Sequence, residues 1–363
     1  MTFRVDAPAP QPADNRNESV VPTLGVDVPT THRADAPRVA DANPDSAASR
    51  YLDRGGPLAG APADGLGDAI LARADRFRPE RVDNAQINDV VRVVDGRHGY
   101  YLKADSGLMP DQAAHELLAA RVLRSVDPAL FVPARAADGP DTPHPHVLVM
   151  DAADRWPADG GWHIENHADG APAQPPTDAA EALRLHLFDY TAGNNDRHPR
   201  NWLEAVNVDG RRRLVAIDHG ACFGGSDGPR EIRGADVGYD EWAAAVGRPW
   251  HLGGLVGDAY AFKSSEELRA DVDATVDRLQ TVDAFVEANA VADRALRGRG
   301  EPADDTRRAT EFPGWLSELP HAASYWQTRA QRLVTDRDAI TRALEHERLL
   351  ARARLGLPVD APW

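Results

Sequence analysis

The densest run of chemically capable side chains in the sequence is TAGNNDRHPRNWL, Thr191–Leu203. Asn194, Asn195, Asp196, Arg197, His198, Arg200 and Asn201 fall within eight residues, between two apolar segments. An acid, a histidine and an amide this close together suit proton transfer beside a bound cation. Asp196 and Asn201 are five residues apart, and Asp218 follows Asn201 by seventeen. The intervening NWLEAVNVDGRRRLVAID reads as a hairpin about the turn signal Asp209-Gly210, which returns Asp218 towards Asn201. Asn201 and Asp218 then offer the oxygen ligands that magnesium takes together with nucleotide phosphate. Asp196 is left to orient or deprotonate an attacking hydroxyl.

Such chemistry also needs a cation on the phosphates. The chain has 41 lysines and arginines, and only Lys103 and Lys263 are lysine. Arginine therefore serves wherever a generic positive charge is wanted, and a lysine marks a place for a compact point charge. Lys103 stands on the returning strand of INDVVRVVDGRHGYYLKAD, a hairpin expected about Asp95-Gly96. Glu116 lies thirteen residues on, within the expected helix PDQAAHELLAARVLRSV, where it can pair with Lys103 and fix its position.

With these residues in place, GNNDRHPRNWL…VAIDHGACF resembles the catalytic and metal-binding segments of the phosphatidylinositol 3-/4-kinase superfamily. That superfamily carries a DRHxxN catalytic loop and an ID-x-G metal motif, and the bacterial HipA-type serine/threonine kinases carry a similar loop. The resemblance is strongest over residues 186–223 and weaker over 89–126. It implies a two-lobed protein-kinase-like fold of the α+β class, with a small β-rich N-lobe and a larger helical C-lobe. By the same resemblance Asp196 is the catalytic-loop acid and His198 the loop histidine. Asn201 and Asp218 are the magnesium ligands, and Lys103, partnered by Glu116, contacts the phosphates of ATP. Met150 and Asp151 fall where the adenine-binding hinge is expected. The implied reaction is ATP-dependent phosphorylation of a hydroxyl; the net charge of −16 and the lack of a long basic membrane-binding segment favour a protein or peptide acceptor over a phosphoinositide or other small molecule. A pseudokinase-like binding module and a nucleotidyl transferase are the alternatives on the same fold. Two departures stand out. No GxGxxG precedes Lys103, so backbone amides or Asn84 and Asn88 must serve there. His219 stands where eukaryotic protein kinases have phenylalanine.

The elements that position these residues follow from pattern. Residues 1–65 are rich in Pro, Ala, Asp and Gly without a sustained apolar period, and are expected to form a disordered tail. Residues 66–151 are expected to form the N-lobe, opening with an amphipathic helix in GDAILARADRF, and 152–363 the C-lobe. HVLVMD, at 146–151, reads as a buried strand, followed by a Trp/Gly/Pro-rich insertion to about 176. DAAEALRLHLFDYTAG is a helix with Leu183, Leu187 and Tyr190 on one face, a capping box from Asp178 and Glu181, and Gly193 at its end. Further helices are expected from Ser264 and over roughly 322–354.

Bulk properties narrow the partners. A net charge of −16 disfavours nucleic acid and anionic membranes. No apolar run approaches the ~20 residues of a membrane span, and the N-terminus lacks a signal-peptide core. A cytoplasmic protein is the expectation. Cys222, the one cysteine, reads as a small packed side chain.

Overall fold

The computed structural model describes residues 78–81, 89–94, 99–104, 111–136, 146–156, 161–166, 174–199, 201–225, 233–247, 252–297 and 314–359. The tail at 1–65, the helix expected at 67–77, Asn84, Asn88, Asp95-Gly96, Pro110 and Arg200 lie outside the described residues.

Strands β1 (Arg78–Arg81), β2 (Asp89–Val94), β3 (Gly99–Ala104), β4 (Ala134–Ala136) and β5 (His146–Met150) form a five-stranded sheet. Their order is β1-β2-β3-β5-β4, with every neighbouring pair antiparallel. The β-branched run of β2 pairs with β3, the returning strand the sequence predicts, and the register is Val94↔Gly99. Lys103 therefore sits on the central strand, between Val90 of β2 and Val147 of β5.

Between β3 and β4 runs α1 (Gln112–Val126), built largely from strong helix formers. Ala114, Leu118, Val122 and Val126, four residues apart, are fully buried. After it, the Asp127 carboxylate accepts from Ala129 N at 2.9 Å and from Arg184 Nε at 2.6 Å. Ala216 N donates to Leu130 O at 2.9 Å, which ties this loop to the second sheet.

That second sheet is three-stranded and antiparallel, in the order β6 (Trp162–Asn166), β7 (Trp202–Asn207), β8 (Arg212–Ala216). The β7–β8 pair is the hairpin expected about Asp209-Gly210. Strand β6 and the four-residue helix α2 (Ala152–Arg155) fall inside what the sequence reads as an insertion. Five residues of alternation between glycines leave too short a period to register.

Helix α3 (Ala179–Ala192) leads into the polar loop. Asp178 caps it by accepting from Ala180 N, and Gly193 ends it in the left-handed region, with φ 64°. The expected capping box does not form. Glu181 is buried and instead accepts from Leu214 N of β8 at 3.2 Å, with Arg213 at 3.4 Å. Burial pushes its carboxyl up to about 7.

Helices α4 (Tyr239–Val246), α5 (Gly253–Tyr260), α6 (Ser265–Gln280), α7 (Ala284–Arg297) and α8 (Leu319–Arg354) complete the described chain, with a 3-10 turn at Gly314–Glu318. Ser264 and Glu267 open α6 with a true capping box. α3 packs against α5, α6 and α8, and is buried on nearly every side, including Leu183, Leu185, Leu187 and Phe188. Each such side chain contributes about 1.5–3 kcal/mol on leaving water. The loop at 194–201 thus hangs from a helix fixed in the core. No described helix is long and apolar enough to cross a membrane.

Candidate functional site

Three elements converge on Lys103. Its ammonium donates from β3 to Glu116 Oε2 of α1 at 3.2 Å and to Asp218 Oδ1 at 3.0 Å. Asp218 comes from the loop after β8, 115 residues further along the chain. The Glu116 side chain is only 4% exposed, whereas that of Asp218 is 43% exposed. Glu116 Oε2 also accepts from the backbone N of His219 at 2.6 Å. One buried carboxylate therefore joins the lysine strand to the segment that bears Asp218. Burial works against the lysine's charge, but Asp218 and Glu116 outweigh it and hold the ammonium above its ordinary range. Burial likewise pushes the Asp218 carboxyl up, and Lys103 overcomes it to leave the group below the usual carboxylate range. At Glu116 burial prevails and the carboxyl is raised against the pull of Lys103.

Asp218 has φ 56°, the left-handed region that L side chains rarely occupy. Such backbones cost roughly 1–3 kcal/mol and persist where the surroundings enforce them. Here the enforcing contacts are Lys103 on its side chain and Glu116 on the next amide.

The hairpin returns the chain as its pattern predicts. Trp202 pairs with Ala216, and Ile217 N donates to Asn201 O at 3.1 Å, so Asn201 and Asp218 leave one end of the same ladder. Asn201 donates through Nδ2 to Asp196 O at 2.7 Å and to Asp196 Oδ2 at 3.1 Å. That commits the amide nitrogen and leaves the amide oxygen open to accept. The Asp196 carboxyl is half-open to solvent and raised, chiefly by burial, with His198 pulling the other way. His198 Nε2 is 3.8 Å from Asp196 Oδ1, an ion-pair distance longer than a hydrogen bond.

Arg197 is fully buried. Its Nε and Nη2 grip the Asp189 carboxylate of α3 at 3.0 Å each. Nη1 donates to Asn201 O at 2.5 Å and to Ile217 O at 2.6 Å, and Nη2 to His219 Nδ1 at 3.1 Å. Asp189 Oδ1 also accepts from Asn194 Nδ2 at 3.0 Å, and Asn194 Oδ1 accepts from Asp196 N at 3.0 Å. His219 is kept neutral by burial, then by the nearby charges of Arg197 and Lys103. Burial pushes the Cys222 thiol far up, which makes it packing and not a nucleophile.

The structure thus brings Lys103, Glu116 and Asp218 into one cluster and sets Asn201 and Asp196 beside it. Met150 closes β5 opposite Tyr100, and Asp151 caps α2 by accepting from Ala153 N at 3.0 Å. Sequence reasoning missed Asp189 and the structural use of His219. The signal for Asp189 was available: an acid embedded in the apolar stretch LHLFDYTA asks for a buried cation.

No family model matches the chain, and no curated protein matches it. Among solved structures it is similar to a chain of the Shewanella oneidensis MR-1 toxin–antitoxin complex of HipA, HipB and operator DNA. The TM-score is 0.35 and the identity 10%, over 72% of this chain and 67% of that one. It is also similar to the Helicobacter pylori proinflammatory kinase CtkA, with TM-score 0.32 and 11% identity over 74% of this chain and 96% of that one. Likenesses this distant leave the residues themselves to carry the functional reading.

Proposed function

We propose that this chain is an ATP- and magnesium-dependent phosphotransferase of two-lobed, protein-kinase-like architecture. It moves the γ-phosphoryl group to a hydroxyl, with a protein or peptide side chain as the favoured acceptor. The N-lobe spans 66–151 and the C-lobe 152–363, after a tail at 1–65. The observation that carries the reading is the Lys103 ammonium held at 3.2 Å from Glu116 and 3.0 Å from Asp218. A cation and a metal-binding acid so joined, from a strand and a distant hairpin mouth, meet the two charge requirements of phosphoryl transfer.

The donor set fits the proposed cofactors. Asn201 and Asp218 offer hard oxygens, and two protein ligands are what magnesium uses when phosphates and water complete its shell. Bound magnesium and ATP supply the transferable group and neutralise charge on its oxygens. Lys103 binds the phosphates, and Glu116 keeps it aimed. Asp196, half-open to solvent and held through Oδ2, orients the acceptor hydroxyl and takes its proton. Asn201 Nδ2 holds Asp196 Oδ2 so that Oδ1 can face the acceptor. Met150 and Asp151, at the end of the strand next to β3, are proposed to receive the adenine.

The test is incubation with ATP labelled separately at the α and γ positions, against host proteins and host lipid extract. Magnesium-dependent transfer of γ label to protein is expected, and its loss in Asp196→Ala and in Asp218→Ala with folding retained. Full transfer by either variant sinks the mechanism. Transfer of α label redirects the reading to nucleotidyl transfer, and γ label in lipid alone to a phosphoinositide kinase.

A further inference from the structure

We propose that Asp189 and Arg197 act as a positioning pair, setting the separation of the two backbone segments that carry Asn201 and Asp218. The inference rests on the phosphotransferase reading above and extends it to two residues that touch neither nucleotide nor acceptor.

Three observations carry it. The first is where the guanidinium spends its donors. Nη1 bridges Asn201 O at 2.5 Å and Ile217 O at 2.6 Å, the carbonyl of one proposed metal ligand and the carbonyl immediately before the other. A planar fork can hold two carbonyls while its remaining donors hold a carboxylate, and a lysine cannot. The second is reach. Asp189 Oδ1 orients Asn194, and Asn194 holds Asp196 N, so one carboxylate governs all three residues of the proposed chemistry. The third is energetic. Arg197 and Asp189 are 1% and 2% exposed. Two charges buried this deeply pay a desolvation cost that packed apolar residues would avoid. A buried pair is therefore a poor device for stability alone, and what it supplies is a defined geometry. Asp189 sits on α3, a helix buried along nearly its whole length, so the pair refers the loop positions to the core.

A matched control exists within the chain. Arg348 is also fully buried, bonded to Glu345, Ser265 and the Lys263 carbonyl, all remote from the site in sequence and network. Arg197→Lys and Arg348→Lys make the same exchange of a buried fork for a point charge. Amide hydrogen exchange of the full chain is read at Asn201 and Ile217, whose N–H groups bond His198 O and Asn201 O. At least tenfold faster exchange at both is expected in Arg197→Lys and no change there in Arg348→Lys, at matched melting temperature. Equal exchange at 201 and 217 in the two variants overturns the inference. A second arm titrates Mn2+ with ATP by electron paramagnetic resonance. Affinity is expected to fall at least tenfold in Arg197→Lys and in the isosteric Asp189→Asn, and to hold in Arg348→Lys. Unchanged affinity in both site variants also overturns it. If the unaltered chain binds no Mn2+ with ATP, the phosphotransferase reading fails while the exchange measurement still decides the positioning role.

Discussion

Replacing Lys103 by methionine separates what the lysine does for the fold from what it does for chemistry. The variant leaves two carboxylates without their cation. Asp218, with a side chain 43% exposed, is the less deeply buried of the two and is stranded at the lower cost. Glu116, 4% exposed, cannot return to water. Stranding a buried partner in this way costs about 3–5 kcal/mol. Adding Glu116→Gln removes the stranded charge while keeping an acceptor for the His219 amide, now bonded at 2.6 Å. The double variant is therefore expected to regain about 2–3 kcal/mol of the loss. The sign of the pH dependence follows from the same charge. Without Lys103 the Glu116 carboxyl is raised further in the folded state. A raised group contributes stability that is complete below its unfolded value and disappears as pH climbs through its folded value. The single variant should thus recover towards the unaltered chain on acidification from pH 8 to pH 5, and the double variant should not. Urea denaturation at the two pH values measures both effects, and nucleotide binding should be lost in each variant. If Glu116→Gln fails to rescue the single variant, Lys103 and Glu116 are not coupled as their geometry requires, and the assignment of Glu116 as its partner falls.

Two further predictions test the frame that holds the site. Glu181, raised from 4.5 to about 7 by burial beneath β8, makes the native state weaker above that range by about 3 kcal/mol, at ~1.4 kcal/mol per pH unit. Its stability contribution is complete below about pH 4.5 and lost as pH rises through 7, so Glu181→Gln should melt higher than the unaltered chain at pH 8 and equally at pH 4.5. An equal difference at both pH values would falsify the burial argument. Gly193 has φ 64°, and a methyl group there would lie 2.1 Å from the Tyr325 hydroxyl and 2.8 Å from its ring. Gly193→Ala should cost about 2–4 kcal/mol in denaturation, and Tyr325→Phe should restore only part of it because the ring remains.

What was legible in the sequence, and what was not, divides along physical lines. The hairpins were legible because β-branched composition and an Asp-Gly turn signal are local facts, whereas register emerged only with the pairing itself. Lys103, Glu116, Asn201 and Asp218 were legible as candidates because each is chemically conspicuous against its neighbours. Their meeting was not legible from spacing alone, since Lys103 and Asp218 are 115 residues apart. The insertion at 152–176 hid β6 because its five residues satisfy their backbone through β7, a partner some forty residues away, and not through a local turn. Glu181 was misassigned for a similar reason. A capping box is the local solution for its carboxylate, and a long-range amide, Leu214 N, outbid it once α3 was buried under β8.

The same division accounts for the strain at Asp218. Ile217 is held by the Asn201 carbonyl through its N–H and by Arg197 through its carbonyl. His219, one residue past Asp218, is held by Glu116 through its N–H and by Arg197 through its ring. With both neighbours pinned by groups from three other elements, the backbone of Asp218 has no freedom to relax towards an ordinary φ. Relaxing it would break either the Glu116 bond or the hairpin bond, each worth about as much as the strain itself. The left-handed turn is what lets the Asp218 carboxylate meet Lys103 while the next amide meets Glu116. An asparagine or glycine would adopt that backbone as easily. Of the three, only an aspartate also supplies a second negative charge, beside that of Glu116, to hold Lys103, and that requirement ties the local conformation to the ion cluster.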